Sequence, residues 1–150
     1  MANVATYPMP SLLLQDETAW LDQTATLVSQ GRFAEIDPNH LSEYLSDMAR
    51  RDRREVVSRL TVLLTHLIKW EHQVERRGGP WESTILHQRH ELQDLLDSRV
   101  LQSHGQEMLP TASVRAVKQA ALEIGTDTSM FPAECPWSLE EIVAAQEDTA

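Results

Sequence analysis

One cysteine, Cys135, stands among 150 residues. No intrachain disulfide can form, and no thiolate cage for zinc or an iron–sulfur cluster can be built within the chain. A reducing compartment fits best, and the cytoplasm is the expected location. Five glycines and seven prolines are too few for a collagen-like or low-complexity chain. No stretch approaches the ~20 apolar residues of a membrane helix. The N-terminus has no basic start and only Leu12–Leu14 as an apolar run, so neither a signal peptide nor membrane association is expected. Runs alternating apolar and polar residues between turns, the signature of strands, are missing. So are a glycine-rich phosphate loop, a nucleophile elbow and a recognised pair of catalytic carboxylates.

What remains is an ordinary globular composition, 41% hydrophobic and 24% charged, in a chain of one-domain length. Residues 1–150 are expected to form a single helical domain, with a flexible tail to about residue 15 and a frayed end from about 144. The net charge of -10 is unevenly spread. From Arg32 to Lys118 there are 13 basic and 13 acidic residues, so the middle is balanced. The excess lies in residues 1–31, with Asp16, Glu17 and Asp22, and in 119–150, which hold seven acidic residues and no base. Such a charge repels phosphate at long range and disfavours nonspecific nucleic-acid binding unless a local basic patch prevails.

Periodicity predicts an all-α bundle of five or six helices. Trp20, Leu21, Thr24, Leu27 and Val28 share a face of a helix over about 17–30, and Gly31 suits a left-handed C-cap. Asp37-Pro38 reads as an N-cap and first turn, opening a helix that aligns Leu41, Tyr44, Leu45 and Met48 to about Arg50. Asp52 with Glu55 has capping-box spacing, which fits either a new helix or a kinked continuation. The third helix is apolar almost all round: Val56, Leu60, Leu63, Leu67 and Trp70 form one stripe, and Val57, Leu64 and Ile68 widen it. Gly78-Gly79-Pro80 then turns the chain into an antiparallel fourth helix over about 81–97, with Trp81, Ile85, Leu92, Leu95 and Leu96 on one face. Gly105 and Pro110 interrupt 98–111. A fifth helix over about 112–124 carries Val114, Val117, Ala121 and Ile124, and Ser138 with Glu141 opens a short terminal helix.

Two blocks are distinctive: HLIKWEHQVERRGGPWESTILHQRHELQDLL from His66 to Leu96, and FPAECPWSLEEI from Phe131 to Ile142. Together they resemble the bacterial family described as domain of unknown function twenty-nine, over about Asp16 to Val143. The pattern is similar at His66, Lys69, Trp70, Arg76, Arg77, Trp81, Ser83, Ile85, Gln88 and Arg89, and departs at His87, His90, Gly105 and Pro110. The resemblance implies a small all-helical fold and no assigned activity.

His66, Trp70, Arg76, Arg77, Trp81, Gln88 and Arg89 form the candidate polar cluster, with a functional or a structural role. His66 lies at the edge of the apolar stripe, either as a half-buried histidine bonded to a neighbour or as a general base. Arg89, with Gln88, falls within the apolar face of the fourth helix. A guanidinium there must pair with a carboxylate, cap carbonyls of another helix or reach a ligand, and Glu55, Glu71 and Glu75 are the candidate partners. Arg76 and Arg77 complement a helix C-terminus. His87, His90, Glu91 and Asp94 have ligand-like spacing but project away from the apolar stripe, so no metal site is expected, and no cofactor. Cys135 beside Glu134 lacks the positive charge that activates a thiol. Arg50, Arg51, Arg53 and Arg54 offer a short phosphate-binding patch, or a solvated helix junction answered by Asp47, Asp52 and Glu55. The best reading is a non-enzymatic module for a protein partner or self-association as a homodimer. A hydrolase or nucleic-acid-acting enzyme using His66 and Arg89 comes second, and a nucleic-acid-binding adaptor using Arg50–Arg54 third.

Overall fold

The structure, a computed structural model, describes residues 15–144, so the expected N-terminal tail and nearly all of the frayed C-terminus lie outside the described residues. It is all-helical, with no strand among them. The helices are α1 Glu17–Ser29, α2 Pro38–His72, α3 Gly79–Leu95, α4 Arg99–Ile124 and α5 Leu139–Val143, joined through 3₁₀ turns at Phe33–Glu35, Val74–Arg76 and Thr128–Met130. The chain divides into two compact units, 1–49 and 50–150.

In the first unit, Asp16 caps α1 by accepting the Ala19 N–H at 3.0 Å. Trp20, Thr24 and Leu27 are the buried face of α1, and the Trp20 ring lies 5.9 Å from that of Tyr44. Gly31 adopts φ +69 after the helix end, the left-handed geometry expected of it. Asp37 accepts the His40 N–H at 3.3 Å, so the Asp37-Pro38 start is also as expected. The aligned face beyond it is narrower than its pattern suggests. Leu41 and Tyr44 are half-buried, whereas Leu45, Met48 and, on α1, Val28 are exposed, because a two-helix contact covers a strip and not a whole face.

The stretch from Pro38 to His72 is one 35-residue helix without a break at Asp52. Arg50 to Glu55 contains no glycine or proline, and capping-box spacing without a breaker does not stop a helix whose following turns are strongly buried. In the second unit, Val56, Leu60, Leu63 and Leu64 on α2 are buried at 1% exposure or less. Arg59 reaches Gln88 and Glu91, while Lys69 lies over Trp81, so α3 runs antiparallel to α2. Val56 lies beside Gly105 and Lys69 bonds Glu123, so α4 runs parallel to α2.

Arg99–Ile124 is continuous through both residues that were expected to interrupt it. Gly105 is buried, and a Cβ there would meet Leu139 at 3.3 Å and Leu96 and Val56 at 3.5 Å. The glycine thus serves close helix approach and not a turn. Pro110 and Gln106, whose carbonyl loses its donor to the proline, are both exposed. The buried face of α4 is made of small residues, Ala112, Ser113, Ala116, Ala120 and Ala121, while Val114, expected inward, is 51% exposed. Gly125 ends the helix at φ +80. The remaining segment closes the core: Phe131 meets His72 edge-on at 4.7 Å, and Ser138 caps α5 by accepting the Glu141 N–H at 3.1 Å, burying Leu139 and Ile142. No helix among the described residues is long and apolar enough to cross a membrane.

Gly105→Val should destabilise the fold by about 1–3 kcal/mol through overpacking against Leu139, Leu96 and Val56, outweighing the gain in helix propensity. A urea melt with an unchanged slope and a lowered midpoint is the expected outcome.

Candidate functional site

Two clefts in the second unit concentrate the side chains capable of recognition. The first lies along α2 and α4 and has a volume of about 680 Å³. Arg50, Arg53 and Arg54, at three- and four-residue spacing on one side of α2, line it together with Arg115 and His104 of α4. Val57, Val62 and Met108 give it an apolar floor, and no carboxylate lines it. Arg54 and Arg115 make no hydrogen bond or ion pair among the described residues, and both are exposed. On the side of the same helix that faces α3, Arg59 is answered. Arg59 donates to Glu55 at 2.8 Å, to Gln88 at 3.2 Å, and lies 3.4 Å from Glu91. The arginine-rich stretch was legible in the sequence. Its completion by His104 and Arg115, some fifty residues on, was not, because nothing in a linear pattern brings the two helices side by side.

The second cleft, about 510 Å³, is built from Trp70 of α2, Ile85 and Arg89 of α3, and Trp137 and Ile142 of the C-terminal segment, with Glu71, Glu82 and Glu141 also lining it. Arg89 is only 8% exposed, and its Nε donates to the Ile142 carbonyl at 3.0 Å. None of Glu55, Glu71 and Glu75 bonds it; Glu55 is engaged by Arg59. The guanidinium caps a carbonyl near the end of α5 instead, which satisfies a group that a five-residue helix leaves without an intrahelical donor. Burial pushes the Arg89 pKa down, with no compensating charge partner.

The other members of the candidate cluster are dispersed. Trp70 shares the second cleft with Arg89, and Arg77 braces it, donating from Nε to the Trp70 carbonyl at 2.6 Å with its guanidinium 5.2 Å from the ring. That contact answers a last-turn carbonyl of α2 with positive charge. Arg76 is exposed in the following 3₁₀ turn. Gln88 accepts from Arg59. Trp81 supports the Lys69 ammonium at 4.7 Å from its ring centre, and the same ammonium bonds Glu123 at 2.8 Å, so Lys69 ties α2 to both neighbours. His66 is half-buried with Nδ1 2.9 Å from the Val62 carbonyl and lines neither cleft. His87, His90 and Asp94 are exposed, and among the described residues no three His, Cys, Asp or Glu side chains converge as metal ligands would.

The family model for a domain of unknown function, DUF29, matches residues 12–146, and the chain belongs to that family. No curated protein and no solved structure matches it.

Two outcomes follow from these contacts. Because Arg89 holds a carbonyl and not a buried carboxylate, Arg89→Ala should cost about 1–3 kcal/mol, below the ~3–5 kcal/mol that follows when a buried ion-pair partner is orphaned; urea midpoints separate the two. The Lys69 hydrogen bond, then that of Gln119, holds the Glu123 carboxyl below its usual range against a smaller opposing effect of burial. A depressed carboxyl pKa stabilises the fold at neutral pH and loses that contribution as pH falls through the folded value. Lys69→Met should therefore lower stability at neutral pH, and its deficit relative to wild type should narrow between about pH 5 and pH 3, leaving the part due to Trp81.

Proposed function

We propose that the protein is a non-catalytic binding module that docks an acidic amphipathic segment of a partner protein in its arginine-lined cleft. One observation carries this reading: four arginines and a histidine surround an apolar floor without a lining carboxylate, in a chain whose net charge is -10. Concentrating positive charge in such a chain opposes its overall field, and the two exposed members without partners, Arg54 and Arg115, hold their donors toward solvent. Guanidinium groups bind carboxylates through paired donors, and Val57, Val62 and Met108 supply the apolar contact that a helix face needs. Duplex or single-stranded nucleic acid is a poorer match. No tryptophan, tyrosine or phenylalanine lines the cleft for base stacking, and a phosphate backbone has no apolar face to set on Val57, Val62 and Met108.

A synthetic helical peptide with leucines on one face and glutamates on the other serves as the probe, followed by fluorescence anisotropy across a salt series. The expected result is binding that weakens as salt rises, falls by about tenfold or more in Arg54→Glu/Arg115→Glu, and is absent for a lysine-for-glutamate peptide. Equal binding by the double variant, verified as folded by its melting curve, would overturn the reading. Tighter binding of mixed-sequence duplex DNA or RNA would replace it with a nucleic-acid adaptor.

A further inference from the structure

Arg89 is more than nine-tenths buried, yet only its Nε is committed, to the Ile142 carbonyl. Its two Nη groups have no hydrogen-bond or ion-pair partner among the described residues, and the residue lines a cleft of ligand size. Neither Nη is a buried atom, so both reach the open space of the cleft, and a structural cap alone uses one of the five N–H donors. The four left over are arranged for the two oxygens of one carboxylate. The rest of the lining restricts what that carboxylate can belong to. Trp70 and Trp137 offer indole surface, and Ile85 with Ile142 offers aliphatic surface, so the anion must carry an apolar group. Glu71, Glu82 and Glu141 are exposed and line the same space, so three negative charges border it beside one cation. A dianion such as a phosphate monoester would meet three carboxylates with one cation to offset them, whereas a ligand that carries an ammonium beside its carboxylate brings a charge complementary to each.

The geometry points to a binding site for a free apolar α-amino acid, its carboxylate on Arg89, its side chain between the two indoles and its ammonium toward the glutamates. This site is separate from the arginine-lined cleft on α2 and α4 and does not depend on that cleft's occupant. Arg89 here is a binding residue whose Nε anchors it to α5, so the site exists only while the C-terminal segment is packed.

Titration calorimetry of the full chain with L-phenylalanine and L-leucine is the direct experiment, with phenylalaninamide, N-acetylphenylalanine and phenyl phosphate as comparisons. Saturable binding of at least one free amino acid is expected, weakened at least about tenfold in the amide, which lacks the carboxylate, and in the N-acetyl compound, which lacks the ammonium. Arg89→Lys should retain weakened binding and Arg89→Met should lose it. Because Arg89→Met removes the cap on Ile142, Glu82→Gln/Glu141→Gln serves as a second variant that leaves the guanidinium in place. It should weaken the free amino acid toward the affinity of the N-acetyl compound while leaving the latter unchanged. Absence of binding by both amino acids, or equal binding by phenylalaninamide, overturns the proposal. So does phenyl phosphate binding as tightly as phenylalanine, or N-acetylphenylalanine matching it, which would assign the cleft to a simple anion or to a peptide C-terminus.

Discussion

A helix that is apolar on nearly every side cannot stand in water, and the second unit is organised around that constraint. Leu63 and Ile68 are each worth about 1.5–3 kcal/mol when removed from solvent, and helical geometry sets them roughly 140° apart around α2. One neighbour cannot cover them. The antiparallel α3 takes one side with Ile85 and Leu92, and the parallel α4 takes another with its alanines, which let the two backbones come close. Phe131, Leu139 and Ile142 fill what remains, which is why a loop and a five-residue helix at the end of the chain are as deeply buried as the long helices.

That same constraint explains what could be read in the sequence. The stripe on α2, the glycine end of α1 and the caps at Asp37 and Ser138 are local signals, and each matches the structure. The continuity of Pro38–His72 and Arg99–Ile124 was not legible because it is decided by competition. An interior proline costs about 3 kcal/mol and a glycine about 1, amounts that burial of a helix face can exceed. Gly105 shows why such a residue persists: its missing Cβ makes room for Leu139.

The site residues divide along the same line. Arg89 was visible as an anomaly because its side chain breaks an apolar pattern, whereas its partner was not, since the Ile142 carbonyl is a backbone group that no side-chain pattern reports. The arginines from 50 to 59 share one helix but differ in their surroundings. Arg59 faces carboxylates from α2 and α3, while Arg54 and Arg115 border a cleft with none. One arginine neutralised toward α3 and two bordering a cleft without a carboxylate give the second unit a direction that the net charge conceals.

The shortness of α5 has a consequence for the time dependence of the structure. Five residues form too few intrahelical bonds to hold a helix by themselves, so Leu139–Val143 persists only through its buried side chains and the donors that Arg89 and Gln93 extend to the Ile142 and Val143 carbonyls. A fluctuation that withdraws those side chains and donors therefore unwinds the whole helix, with no remaining turn to guide its return. Trp137, adjoining that helix, would move with it. The cleft over Arg89 thus has two walls on long helices and a third on a segment whose shape depends wholly on its packing.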